Sequence, residues 1–248
     1  NPQWVINAAA YTDVEKAEIE RDKALIINRD SPKAIAEALL ESGGKFIYIS
    51  TDYVFDGAKK SPYLINDETN PINFYGQSKL DGEKEVMSIL ANSNQIIVVR
   101  TSWLISPSRN NFLLKILKLH NSQKEINVIS DQIGCLTSTE SLSKFCSLLI
   151  KYSNIHISIP NLLHWCDSGI VSWFDIAYQI GRIGKNLELI KYPAEVKPIL
   201  TSQYNSLAKR PLFSVLDCQE SEKLLKIQRS DWIYSIEEIL KTISLLRK

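Results

Sequence analysis

Tyr75 and Lys79 are spaced four residues apart, and Thr51 lies upstream of them at the end of an apolar run. A phenol is a weak acid with an ordinary pKa of ~10. A cation held beside it favours the phenolate and lowers that value. Positions i and i+4 share one face of a helix, so Lys79 is expected about one turn from Tyr75. A phenol and an ammonium so placed can pass a proton to or from a carbonyl oxygen. Bringing a phenol from ~10 to ~7 requires about 4 kcal/mol of differential stabilisation. The same spacing also fits an ordinary surface pair, so the surrounding elements decide between the two.

Those elements are those of a parallel α/β fold. The run Lys45-Phe46-Ile47-Tyr48-Ile49-Ser50 reads as a buried strand, and Thr51 follows it directly. Ligand sites of open parallel sheets lie beyond such carboxyl ends. The long stretch 53–74 contains Gly57, Pro62 and Pro71 with little periodicity and reads as a functional loop. Gly76 to about Asn92 reads as the helix that carries Lys79. Residues 4–10 and 95–100 read as further strands, and Asn28–Ser42 as a helix closed by Gly43-Gly44. Thr12 or Asp13 is placed to cap a helix carrying Val14, Ala17 and Ile19. Strands apolar on both faces and alternating with helices imply a parallel sheet covered by helices.

The second half alternates less cleanly. Helices are expected over 110–120, 138–152, 172–182 and 235–246, with a short one from Asp217 to Leu225. Strands are expected over 125–130 and 162–165, and residues 193–211 read mostly as loop. Trp165, Trp173 and Trp232 read as core.

Composition excludes several classes. There are 29 basic and 28 acidic side chains among 248 residues, which leaves no charge argument for nucleic acid or a membrane surface. No apolar run approaches the ~20 residues that span a bilayer. Cys135, Cys146, Cys166 and Cys218 form no CxxC, and His120, His156 and His164 fit no metal spacing, so no metal site is read. Buried thiols in a cytoplasmic enzyme are the simple reading.

Seven stretches together carry a family resemblance: NAAAYTDVEKAE (7–18), STDYVFDG (50–57), NPINFYGQSKLDGE (70–83), VVRTSWL (98–104), NNF (110–112), SDQIG (130–134) and KRPLFSVLD (209–217). On these the chain resembles the extended short-chain dehydrogenase/reductase family, and within it the branch that reduces dTDP-4-keto-6-deoxysugars. The resemblance implies a doubly wound, Rossmann-like parallel-sheet domain with a smaller C-terminal substrate domain. Residues 1–100 and about 122–155 would belong to the first, and about 101–121 and 156–248 to the second. The implied reaction is NAD(P)H-dependent reduction of the 4-keto group of dTDP-4-dehydro-6-deoxy-L-mannose to dTDP-L-rhamnose, for surface polysaccharide.

The resemblance also implies roles. Thr51, Tyr75 and Lys79 would be catalytic, with Thr51 bonding the substrate oxygen and Lys79 also bonding the nicotinamide ribose. The positive charge of an oxidised nicotinamide would add to that of Lys79 in lowering the Tyr75 pKa. Ala9, Ala10, Tyr11 and Asn28 would contact NADPH or NADH. Tyr53, Trp103, Asn111, Asp131, Gln132 and Arg210 would line the dTDP-sugar site, Arg210 being suited to a diphosphate. Related 4,6-dehydratases carry an acid where Tyr53 stands, so carbonyl reduction is favoured over elimination of water. A Mg2+ requirement and a homodimer are left open.

One departure stands out. Family members begin with a strand, a glycine-rich turn and a helix that holds the cofactor pyrophosphate; no GxxGxxG spacing occurs in these 248 residues. The chain therefore reads as an N-terminally truncated piece that binds cofactor weakly. A non-catalytic binding subunit, similar to the regulatory subunit of methionine adenosyltransferase, is the alternative.

Overall fold

A computed structural model of the chain describes residues 1–155 and 159–246; His156 lies outside the described residues. The chain divides into two compact units. One comprises Asn1–Thr101, Lys144–Trp165 and Ser206–Ile227; the other comprises Ser102–Ser143, Cys166–Asn205 and Gln228–Lys248.

The first unit is built on a parallel sheet of β1 (Trp4–Asn7), β2 (Lys45–Thr51), β3 (Ile96–Thr101) and a strand at Leu162–His164, in that order. Ile47 pairs with Ile97 and Val5 with Phe46. β3 is buried along its whole length, as a strand covered on both faces must be. Phe46 and Tyr48 alternate onto one face with Ile96 and Val98. There they pack on Ala36 and Leu39 of the Ser31–Ser42 helix and on Val86 and Leu90 of the Phe74–Leu90 helix. The Ser31–Ser42 helix ends at Gly43, whose φ of 75° is left-handed and costs glycine little. A π-helical turn over Ile26–Asp30 precedes it and carries Asn28.

Asn73 caps the Phe74–Leu90 helix by accepting from the Gly76 amide at 2.8 Å. That helix lies very close to its surroundings at two points. A Cβ at Gly76 would stand 2.1 Å from the Tyr53 carbonyl oxygen, and one at Gly82 would stand 2.1 Å from the Asn28 carbonyl oxygen and 2.5 Å from the Tyr48 hydroxyl.

The second unit packs Leu113, Ile116 and Leu117 of the Phe112–Ser122 helix against Ile176, Ile180 and Ile183 of the Trp173–Asn186 helix. Ile236, Leu240 and Ile243 of the Trp232–Leu246 helix complete this core. Ser172 and Asp175 form a reciprocal capping box at the start of the middle helix.

Several sequence expectations shift. β1 ends at Asn7 rather than residue 10, because the Asn7 side chain accepts from the Ala9 amide at 3.0 Å and turns the chain out of the sheet. Residues 193–211 are not simply loop: Glu195–Ile199 is a strand paired in parallel with Glu125–Ile129. The pair is a two-stranded sheet, where Pro198 can forgo a ladder donor. The last helix begins at Trp232, earlier than Ser235, because Asp231 accepts from the Ile233 amide at 2.8 Å.

The close approach at Gly82 predicts that Gly82→Ala destabilises the chain by about 1–3 kcal/mol or more. Denaturant unfolding should show a lowered midpoint with the slope unchanged; an unaltered midpoint would mean that the helix can lift from Asn28 and Tyr48 without cost.

Candidate active site

The carboxyl end of β2 delivers four buried residues in succession, Ser50, Thr51, Asp52 and Tyr53. The strand turns directly into a 3-10 turn over Asp52–Val54, whose Tyr53 amide donates to the Thr51 hydroxyl oxygen at 3.2 Å. The Thr51 hydroxyl donates to Asp52 Oδ1 at 3.1 Å and is within hydrogen-bonding reach of the Tyr75 phenol. Burial pushes the Asp52 carboxyl up to about 7, held back by the Ser214 and Thr51 hydroxyls. The Ser50 hydroxyl and Asp52 Oδ2 are buried without a hydrogen-bond partner among the described residues.

Tyr75 sits in the first turn of the Phe74–Leu90 helix and packs edge-on against Tyr53, ring centres 5.7 Å apart. Lys79, one turn further, is 2% exposed. Its Nζ donates to the Ile49 carbonyl at 2.7 Å and lies 4.1 Å from the centre of the Tyr48 ring. The expected acidic phenol is corrected here. Burial raises Tyr75 to about 12, with Thr51 lowering it and Asp52 raising it. Burial also drives the Lys79 amine down to about 7, partly offset by the Glu83 carboxylate. Desolvation penalises whichever form is charged, and at this depth it outweighs the attraction that spacing alone suggested.

A buried network fixes these groups. Asn28 accepts from the Tyr11 amide at 2.8 Å and donates to the Tyr11 carbonyl at 3.1 Å and to the Ser78 hydroxyl at 2.9 Å. Ser78 in turn donates to the Tyr75 carbonyl at 2.8 Å, and the Tyr48 hydroxyl donates to the Asn28 carbonyl at 2.8 Å. The segment after β1 is thereby tied to the helix turn that carries Tyr75. Ala8 and Ala9 beside it are exposed and Ala10 is half-buried.

Arg210 is paired rather than open. Its Nη2 meets Glu15 Oε1 at 2.6 Å, its Nη1 donates to the Ser206 hydroxyl, and it lies within hydrogen-bonding reach of the Tyr53 phenol. Glu15 also accepts from the Ser206 hydroxyl at 2.6 Å and the Leu207 amide at 2.8 Å. No local motif reveals the part played by Glu15.

In the second unit, Trp103 adopts a left-handed backbone with φ 47°, rare for a bulky residue. Its ring stacks on Trp173 at 3.7 Å and 11°. The Trp173 indole N–H donates to Gln132 Oε1 at 3.2 Å, and Gln132 Nε2 donates to the Thr201 hydroxyl at 3.2 Å. Asp131 Oδ1 accepts from the amide and hydroxyl of Thr201, at 2.8 and 2.7 Å. Trp103, Asp131 and Gln132 thus join one chain of contacts, to which Trp173, read from sequence as core, and Thr201, not singled out there, also belong. Trp173 is half-buried, so the core reading describes only part of it. Asn111 is held in place by local structure: it caps the Phe112–Ser122 helix through the Leu114 amide at 3.2 Å and donates to the Ser106 carbonyl at 3.0 Å.

Residues 1–245 match the family model described as the RmlD substrate binding domain. The chain is 37% identical over 241 residues to the dTDP-4-dehydrorhamnose reductase of Sinorhizobium fredii, covering 96% of this chain and 80% of that one. A solved dTDP-4-dehydrorhamnose reductase from Clostridium acetobutylicum is similar with a TM-score of 0.88 and 35% identity, over 100% of this chain and 82% of that one. A second, from Bacillus anthracis and in complex with NADP, has a TM-score of 0.88 and 33% identity, over 97% of this chain and 81% of that one. The parallel-sheet, Rossmann-like architecture is common to them.

The buried amine has a consequence for stability. Lys79 falls from an ordinary 10.5 to about 7 on folding. Between these values the unfolded chain binds the extra proton, so this group makes stability rise with pH across that window. Lys79→Met removes the effect. Its urea midpoint should exceed that of the parent at pH 7, and the difference should shrink toward pH 10. A lower midpoint at pH 7 would mark the ammonium as a net stabiliser.

Proposed function

This chain belongs to the RmlD substrate-binding family of dTDP-4-dehydrorhamnose reductases, and from that footing we infer that it reduces the 4-keto group of dTDP-4-dehydrorhamnose to give dTDP-L-rhamnose at the expense of NADPH or NADH. The observation that carries the reading is the meeting of the Thr51 hydroxyl and the Tyr75 phenol at the carboxyl end of β2, with the Lys79 amine one helical turn along. The relatives named above are reductases, which favours this over a non-catalytic subunit.

The residues present fit the nicotinamide end of such a cofactor. The buried Lys79 amine has donors beyond the one given to Ile49, and the segment after β1 offers the small side chains of Ala8, Ala9 and Ala10, which admit close approach to the backbone. Lys79 would hold the nicotinamide ribose, with Ala9, Ala10 and Tyr11 alongside. When bound, the cofactor supplies the hydride that reaches C4 of the sugar.

The protein's own part is the proton. As C4 becomes tetrahedral its oxygen gains negative charge, and Tyr75 transfers its phenolic proton there while the Thr51 hydroxyl donates a hydrogen bond to the same oxygen. Near 12, Tyr75 holds that proton fully at neutral pH, as an acid in the reductive direction must. The phenolate left behind is stabilised by Thr51 and by whatever cationic charge Lys79 carries, then recovers a proton from solvent. Tyr53 is a buried phenol that desolvation holds protonated, so it offers no base at the position where dehydration needs an ionisable acid.

We assign dTDP-sugar contacts to Trp103, Asp131 and Gln132. The half-buried indole stacked on Trp173, and the amide and carboxylate joined to it through hydrogen bonds, support this. Arg210 and Asn111 are proposed as contacts with the same substrate, Arg210 through the diphosphate, Tyr53 beside it. Among the described residues no helix is long and apolar enough to cross a membrane. The four cysteines are buried as thiols, in keeping with a cytoplasmic setting.

Tyr75→Phe is expected to lower kcat by a factor on the order of 10²–10⁴ with circular dichroism unchanged. The assay follows NADPH oxidation with dTDP-4-dehydrorhamnose. Turnover within a few-fold of the parent would remove Tyr75 from proton transfer.

A further inference from the structure

Beyond Thr51, Tyr75 and Lys79, the first unit holds a buried ion pair that the reaction as described does not use. Glu83 lies four residues beyond Lys79 on the Phe74–Leu90 helix, hence on the same face and one turn along. Arg100 approaches it from β3. Its Nε donates to Glu83 Oε1 at 3.0 Å and Oε2 at 3.2 Å, and its Nη2 donates to Oε2 at 2.7 Å. Lys79, Glu83 and Arg100 are 2%, 5% and 4% exposed. Among the described residues Arg100 Nη1 has no hydrogen-bond partner, and the guanidinium lies 5.1 Å from the centre of the Phe55 ring. A charged pair of this kind, well removed from water, is a costly way to join a helix to a strand, since an apolar pair of similar volume often serves as well.

We propose that Glu83 and Arg100 are positioning residues that set the charge on Lys79. Glu83 favours the ammonium, and Arg100 claims the carboxylate bidentately so that Lys79 is not drawn into a closed ion pair and keeps its Nζ available. The inference rests on the reading of Lys79 as the group that holds the cofactor ribose.

The surroundings leave Glu83 as the main lever. On Lys79's own helix the other titratable neighbour is Tyr75, a neutral phenol at any physiological pH. From β2, Tyr48 presents its ring face and is held protonated by burial and then by Glu83. Also from β2, Asp52 sits at the strand end with its carboxyl near 7. Beyond Arg100, on the neighbouring strand, His164 is pushed down to about 3 by burial and then by the Arg100 charge, so it stays neutral. The carboxyl group that acts on the Lys79 amine is that of Glu83. Arg100 does not contact Lys79; it acts by engaging the carboxylate.

Opposite shifts separate this from a purely structural role. The protein is labelled with 15N at lysine Nζ, Lys79 is assigned by the Lys79→Met variant, and its midpoint is read by NMR titration without cofactor. Glu83→Gln should lower the midpoint by about one pH unit and Arg100→Gln should raise it by a similar amount. The double variant Glu83→Gln/Arg100→Met, which leaves no unpaired charge, should also lie below the parent, and it decides the matter if the single variants do not fold. Midpoints that do not move, or single variants that move the same way, would overturn the proposal. NADPH oxidation with dTDP-4-dehydrorhamnose is assayed alongside. Its absence in the parent would sink the reductase reading while leaving the titrations interpretable.

Discussion

Placing one amine out of reach of water is the constraint on which the first unit turns. Lys79 is 2% exposed, with a single carbonyl and the face of Tyr48 as its near neighbours. A group so buried resists its charge. For it to stay there, the helix that carries it must be held down, and the two glycines at the contact do this by letting backbone meet backbone at Tyr53 and Asn28. Asn28 then fastens the segment after β1 to the same helix turn through Tyr11 and Ser78. The stability given up at Lys79 is recovered in the ordinary packing of Phe46, Tyr48, Val86 and Leu90. Strained or costly groups persist only where the surroundings over-determine them.

Much of this was legible locally. A helix register places Tyr75 and Lys79 one turn apart, and a strand ending in Ser50-Thr51 delivers hydroxyls to its carboxyl end; both depend only on near neighbours in the chain. What escaped depends on distance. Whether a cation or burial governs a phenol is a question of depth, and depth is set by the whole fold, so the direction of the Tyr75 shift could not follow from spacing. The strand Glu195–Ile199 was hidden by Pro198, which reads as a breaker until its partner at Glu125–Ile129 is known. Trp173 looked like core because its helix is amphipathic; its stack on Trp103 and its hydrogen bond to Gln132 separate it from that helix's buried positions.

Trp103 shows how the second unit spends its own strain. A bulky residue in a left-handed backbone costs of order 1–3 kcal/mol. The parallel stack on Trp173, and the relay from Trp173 through Gln132 to Thr201 and Asp131, hold that conformation in place. An indole fixed in this way loses little further freedom on meeting a flat ligand, which is how rigid aromatic groups gain affinity.

The latch formed by Glu15 with Ser206, Leu207 and Arg210 joins residues 191 or more positions apart in sequence. On a ribosome the segment around Glu15 emerges long before its clasp exists. Until residues 206–210 follow, the short helix at Val14–Ala17 lacks this fastening. Contacts of such sequence separation slow folding and lengthen the interval in which apolar strands stand open to wrong pairing. The residues from Ser206 to Arg210 therefore govern when the segment around Glu15 becomes fixed.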